Sequence, residues 1–131
     1  MSSLHDLVKS ADWKSEKHVP VIDAPDQAKA GDWITVSATV GKEIVHPNTT
    51  EHHICWIALH YAPEGSKVSY ELGRFEFTAH GQSVKGANEG PAFTDSTVTV
   101  RTRLLEPGTI FATTYCNIHG LWESSRRVAI G

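Results

Sequence analysis

A chain of 131 residues with 12 Lys and Arg, 15 Asp and Glu and a net charge of −3 is long enough to bury a core without disulfides. Its mixed charges offer no basic stripe for nucleic acid, and no apolar run approaches the roughly 18–20 residues that cross a bilayer. Two cysteines are too few for a stapled secreted scaffold, and Asp6, Lys9, Asp12, Lys14, Glu16 and Lys17 interrupt any signal-peptide core, so the expectation is one domain over residues 1–131 in the cytoplasm.

In chain order, the first element is a short helical turn opened by Ser3 ahead of Asp6, a weak capping signal. From residue 33 the chain is rich in β-formers. Strands are predicted over 33–40, 54–61, 68–77, 97–105 and 109–115. Ala62-Pro-Glu-Gly-Ser66 and Glu106-Pro-Gly108 supply a fixed and a permissive φ for reversals between them. The run 97–103 alternates in period two, as a half-exposed strand does, whereas Cys55 to Leu59 is almost continuously apolar and suits a strand covered on both faces. The Gly-rich stretch 79–91 reads as an ordered surface loop. Short strands, regular turns and little helix predict an all-β, immunoglobulin-like β-sandwich with a short N-terminal helical turn, although a jelly roll has a similar pattern.

Eight histidines against a single methionine stand out in the composition, and imidazole is the commonest ligand for transition metals near neutral pH. Candidate donors gather in three segments outside the strand patterns: 16–20 with Glu16 and His18, 46–53 with His46, His52 and His53, and 116–120 with Cys116 and His119. Cys116 and His119, three residues apart, can face one ion only where the chain curls, and Gly120 permits that turn. His52 and His53 point to opposite sides of an extended chain, so one of them is expected to reach the ion. His5 and His60 read as non-ligands, His80 as a packing or supporting residue, and Cys55, between Ile54 and Trp56, as a buried free thiol. Glu16 and His18 share a side of an extended segment and Lys17 faces away, so all three meet one site only in an irregular loop.

Four stretches, 12–20, 40–54, 77–81 and 115–122, resemble the superoxide reductase family in its order, specifically the small neelaredoxin-type members. The resemblance implies a mononuclear iron, cycling between Fe2+ and Fe3+, with His18, His46, His52 and His119 as equatorial nitrogen ligands and Cys116 as the axial sulfur. It implies Glu16 as a carboxylate that takes the sixth position in the oxidised state, and Lys17 as a cation beside the open face. Larger desulfoferrodoxin-type relatives carry an additional four-cysteine iron centre, for which this chain has no cysteines. The implied activity is one-electron reduction of superoxide to hydrogen peroxide as an oxidative-stress defence. A rubredoxin-like electron donor and a homo-oligomer, a tetramer or a dimer, come with it.

The residue types suit that chemistry. A thiolate pushes electron density through a metal, and a lysine near the vacant face raises the local concentration of a small anion. Metal binding needs neutral imidazoles, which places metal loss near and below the ordinary histidine pKa of about 6.5. The residues alone leave open superoxide dismutation, or a purely structural or electron-carrying metal module.

Overall fold

The computed structural model describes residues 2–131. Leu4–Asp6 form a single 3-10 turn whose first turn is capped by the Ser3 hydroxyl accepting from His5 N at 3.2 Å. Eight strands follow: β1 (Pro20–Asp23), β2 (Gln27–Ala28), β3 (Trp33–Val40), β4 (Ile54–Pro63), β5 (Tyr70–Glu76), β6 (Thr97–Arg103), β7 (Gly108–Cys116) and β8 (Gly120–Ile130). They form two sheets, one in the order β1-β3-β6 and one in the order β2-β8-β7-β4-β5. This is the β-sandwich expected.

Side-chain alternation explains how the two sheets adhere. Val36, Ala38 and Val40 of β3 and Val98 of β6 turn inward from one sheet, and Ile57, Leu59, Ile110, Ala112 and Val128 meet them from the other. Burying each of the Val, Ile and Leu side chains stabilises by about 1.5–3 kcal/mol. The almost unbroken apolar run in β4 has its reason in the topology, because β4 lies between β7 and β5 and Ile57, Ala58 and Leu59 are all buried. β6, paired only with β3 at the margin of the smaller sheet, carries the half-exposed alternation.

Three strands lie outside the expectations. β1 is short, β2 pairs with β8 over two residues only, and β8 has a polar centre, Glu123 to Arg127, that breaks any apolar pattern. β8 is a strand because it pairs with β7 from Cys116↔Gly120 to Gly108↔Val128. The fifth strand is shorter than predicted at both ends, and the sixth stops at Arg103, where the chain turns over buried Leu104.

The same register brings several strand ends to one pole. Pro20, opening β1, pairs with Val40, closing β3, and Ile54, opening β4, pairs with Cys116, closing β7. The chain before β1, the segment 41–53 between β3 and β4, and the β7–β8 turn therefore meet there.

Candidate metal centre

Cys116 is the last inward position of a strict alternation in β7, after Ile110, Ala112 and Thr114. Sheet pleating alone aims its sulfur into the protein, where it is completely buried. A β-bulge in β4, between Ile54 and Trp56, faces this strand end. Cys55 is the extra residue there. It is half-buried rather than buried as expected, unpaired, and burial raises its thiol pKa.

Beyond Cys116 the chain reverses at Gly120, whose φ of +81° favours glycine. The curl returns His119 to the sulfur: His119 N donates to Cys116 Sγ at 3.4 Å and His119 Nδ1 lies 3.7 Å from it. His18 approaches from before β1 with its Nε2 3.1 Å from His119 Nδ1. Donor atoms of His18, His52, Cys116 and His119 all lie within 4.8 Å of one another. Metal bonds of about 2.0–2.3 Å to nitrogen and sulfur place opposite ligands about 4.5 Å apart, so this spacing suits a single ion.

His46 completes the ring of imidazoles, with its centroid 4.9 Å from that of His18 and 4.8 Å from that of His52, both edge-on. Among the described residues, the buried Nε2 atoms of His46 and His52 have no hydrogen-bond partner. A buried imidazole nitrogen without a partner is costly; two of them beside a thiol and two further imidazoles fit a soft-to-borderline metal such as iron.

The opposite nitrogens have partners that set the tautomers. His46 Nδ1 donates to Pro47 O at 2.7 Å, and His18 Nδ1 donates to Glu16 Oε1 at 2.6 Å, leaving each Nε2 free to bind a metal. The irregular loop that Glu16, Lys17 and His18 require is present, closed by the Ser15 and Glu16 amides donating to Asp12 O, each at 3.0 Å. Glu16 takes up a supporting position in it: its Oε1 accepts from both the ring and the backbone N–H of His18 and lies outside the clustered donors. Lys17 is half-buried, and its charge is felt by His18, His46 and His52.

Burial, the largest cause in each case, lowers the pKa of His18, His46 and His52; that of His46 falls to about 4. Partial burial resists ionisation of Glu16, but the hydrogen bonds from His18 and the charges of His18 and Lys17 together outweigh it and hold the carboxyl below its usual range. The imidazoles are therefore kept in the neutral, metal-binding form to lower pH than the unperturbed value suggests. His18, His46 and Cys116 lie on the inner side of the cluster, while His119 is exposed and His52 half-buried, so the cluster reaches the surface there.

Trp122 and Asn48 were given no role at the site from the sequence, whereas His80 takes the packing position expected of it. Trp122 stacks on His18 with centroids 5.0 Å apart and planes 15° from parallel, walling one side of the ring. Asn48 Nδ2 donates to Thr94 O, and its Oδ1 lies 2.7 Å from His80 Nδ1, while His80 Nε2 donates to Phe77 O at 2.8 Å. His80 is buried and stacks on His53 at 3.6 Å, 7° from parallel, while His53 Nδ1 donates to Thr49 O. His53 and His80 thus pack together behind the segment that carries His46 and His52. His60 bonds Thr113 Oγ1 within the sheet and His5 is exposed in the N-terminal turn.

A family model described as Desulfoferrodoxin matches residues 10–125. Neelaredoxin of Megalodesulfovibrio gigas is 55% identical over 125 residues, which span 95% of this chain and 96% of that protein. A superoxide reductase of Pyrococcus furiosus is 47% identical over 121 residues, 92% of this chain and 95% of that one. Among solved structures, a superoxide reductase (neelaredoxin) from Archaeoglobus fulgidus in the reduced form aligns with a TM-score of 0.87 at 50% identity, covering 94% of this chain and 98% of that chain.

Proposed function

Because this chain belongs to the desulfoferrodoxin family, with superoxide reductases among its close relatives, we propose that His18, His46, His52 and His119 hold its iron by nitrogen and Cys116 by sulfur. The protein is an iron-dependent superoxide reductase, reducing superoxide to hydrogen peroxide by one electron. The observation that carries the ligand assignment is the convergence of three imidazoles and a thiol within 4.8 Å, next to buried Nε2 atoms of His46 and His52 that have no other partner.

Bound iron supplies the ferrous–ferric couple, and the chemistry left to the chain is to hold it, tune it and guide an anion to it. The carbonyl of Pro47 and the carboxylate of Glu16 fix the tautomers and ring planes of His46 and His18. The His119 N–H on Cys116 Sγ stabilises the thiolate, and the buried walls keep water from it. Lys17 draws superoxide toward the exposed side by its charge. Glu16, which here accepts from His18, is the carboxylate that would also be available to ligate the iron in its oxidised form. One superoxide, one electron and two protons give one hydrogen peroxide, so each turnover needs an external reductant.

A rubredoxin-like one-electron donor fills that need. Exposed His119 borders an apolar surface of Leu4, Leu7, Ile118 and Leu121 with Lys9 beside it, which offers a small redox protein a short route to a ligand. The same reading places the chain in the cytoplasm as a single domain over residues 1–131, assembled as a homo-oligomer, a tetramer or a dimer. Exposed Trp33, Tyr70, Phe75 and Leu105 support such assembly. No helix of the described residues is long and apolar enough to cross a membrane.

The test is stoichiometry. The iron-loaded protein, given superoxide and a reductant, is expected to yield one peroxide per superoxide with matching consumption of reductant. One peroxide per two superoxides with the reductant untouched identifies dismutation and overturns the reading.

A further inference from the structure

Asn117 lies between Cys116 and His119, and its exposure makes it an unpromising residue on its own. Its side-chain oxygen and nitrogen and its backbone N–H nevertheless all bond to one target. Asn117 Oδ1 accepts from His53 N at 2.9 Å, Asn117 Nδ2 donates to Glu51 O at 2.9 Å, and Asn117 N donates to His53 O at 3.2 Å. The three bonds fall on the residues immediately before and after His52. His52 itself sits in a tight local turn, its N–H on Thr49 Oγ1 and its carbonyl accepting from Thr49 N, each at 3.0 Å.

We propose that Asn117 is a positioning residue that brackets His52 and fixes its separation from the Cys116 sulfur. The inference rests on the reading of His52 and Cys116 as ligands to one metal. The backbone already joins the two ligand-bearing segments, by the pairing of Ile54 with Cys116 and by the Asn117 N–His53 O bond, and the Asn117 side chain adds bonds to the peptide groups on both sides of His52, to Glu51 O and His53 N. Without it, the segment 46–53 keeps its other supports: Asn48 on Thr94 and His80, the His53–His80 stack, and Asn88 Nδ2 on both oxygens of Glu51 at 3.1 and 3.0 Å. These hold the segment on the sandwich but contact neither the Cys116 turn nor the two peptide groups flanking His52 that Asn117 grips. Loss of the side chain therefore loosens the two peptide groups that set His52 against the sulfur, while the strand pairing and the Asn117 N–His53 O bond keep the fold.

The experiment is a cobalt(II) titration of metal-freed protein, followed by the sulfur-to-cobalt band and the ligand-field bands, with thermal unfolding of the same metal-freed samples. Asn117→Ala is expected to stay folded, to bind cobalt about tenfold more weakly, the scale seen when a ligand's support is removed, and to show a displaced sulfur band. Asn117→Asp keeps the acceptor for His53 N and sets a carboxylate against Glu51 O; it is expected to weaken binding too, and serves if the alanine variant does not fold. Asn88→Ala releases the outer side of the same segment and is expected to leave affinity and bands unchanged. Folded Asn117 variants that bind cobalt within twofold of wild type with unshifted bands overturn the proposal, as does an Asn88→Ala protein that reproduces the Asn117→Ala spectrum. Wild-type protein without a sulfur-to-cobalt band overturns the ligand reading itself, and this inference with it.

Discussion

Glu16 and Lys17 are neighbours of opposite charge at the same site, and their tasks separate by what each touches. Glu16 is anchored on His18 by two hydrogen bonds; Lys17 reaches the surrounding imidazoles through its charge. A charge that steers an anion acts on the encounter and weakens with salt. Lys17→Ala is therefore expected to lower the second-order rate with superoxide by about tenfold and to flatten its dependence on ionic strength, read by pulsed generation of superoxide at several salt concentrations. A rate equal to wild type removes Lys17 from the mechanism. Cys116 has the opposite character, since its effect is on the metal. Cys116→Ser places a far less acidic hydroxyl where a buried thiolate is needed, so the sulfur-to-iron charge-transfer band is expected to vanish and turnover to fall almost to nothing. A retained band in the visible spectrum shows that a different donor supplies the sulfur-like colour.

At the scale of elements, two glycines shape the turns that present the proposed ligands, and their surroundings differ. Gly120, φ +81°, has nothing within 4 Å of where a Cβ would stand, whereas a Cβ on Gly41, φ +89°, would lie 2.7 Å from His46 N. Gly120→Ala thus costs backbone strain alone, about 1 kcal/mol. Gly41→Ala adds displacement of the His46 backbone, for about 2–3 kcal/mol in total, and weakens metal binding as well. Denaturant unfolding and a metal titration check both; equal losses in the two variants would contradict the steric argument. The elements also show what could be read in advance. β3, β4, β6 and β7 were legible because alternation or a continuous apolar run is written in their residues. β8 was not, because its polar centre is held in a strand by β7 and carries no pattern of its own. At the candidate metal centre the proposed donors stood out as residue types, with His18, His46, His52, Cys116 and His119 lying in family motifs. Trp122, Asn48 and Asn117 did not, since a stacked ring or an amide bond to another segment depends on partners brought together only by folding.

For the whole molecule, the candidate centre gathers imidazoles from three separate segments, and because burial holds those of His18, His46 and His52 neutral, acid opposes both folding and metal uptake. His46 is held neutral in the fold down to a pKa of about 4, against about 6.5 in an unfolded chain. Between those values the unfolded chain binds a proton that the folded one does not, so stability is complete above pH 6.5 and is lost as pH falls toward 4. His46 alone accounts for about 3 kcal/mol across that window, and His18 and His52 shift in the same direction. Metal loss, expected from sequence near pH 6.5, moves lower for the same reason, because protons must overcome the burial as well as the metal. Calorimetry of metal-freed protein is expected to give a melting temperature that is level above pH 7 and declines from 6.5 to 4. Iron-loaded protein should melt higher at every pH where the metal stays bound. Replacing His46 by Gln removes the titrating ring while keeping a polar side chain of similar reach, so the decline of the metal-freed variant should become shallower. If that variant declines as steeply as wild type, the acid sensitivity lies elsewhere in the fold and His46 is not its source.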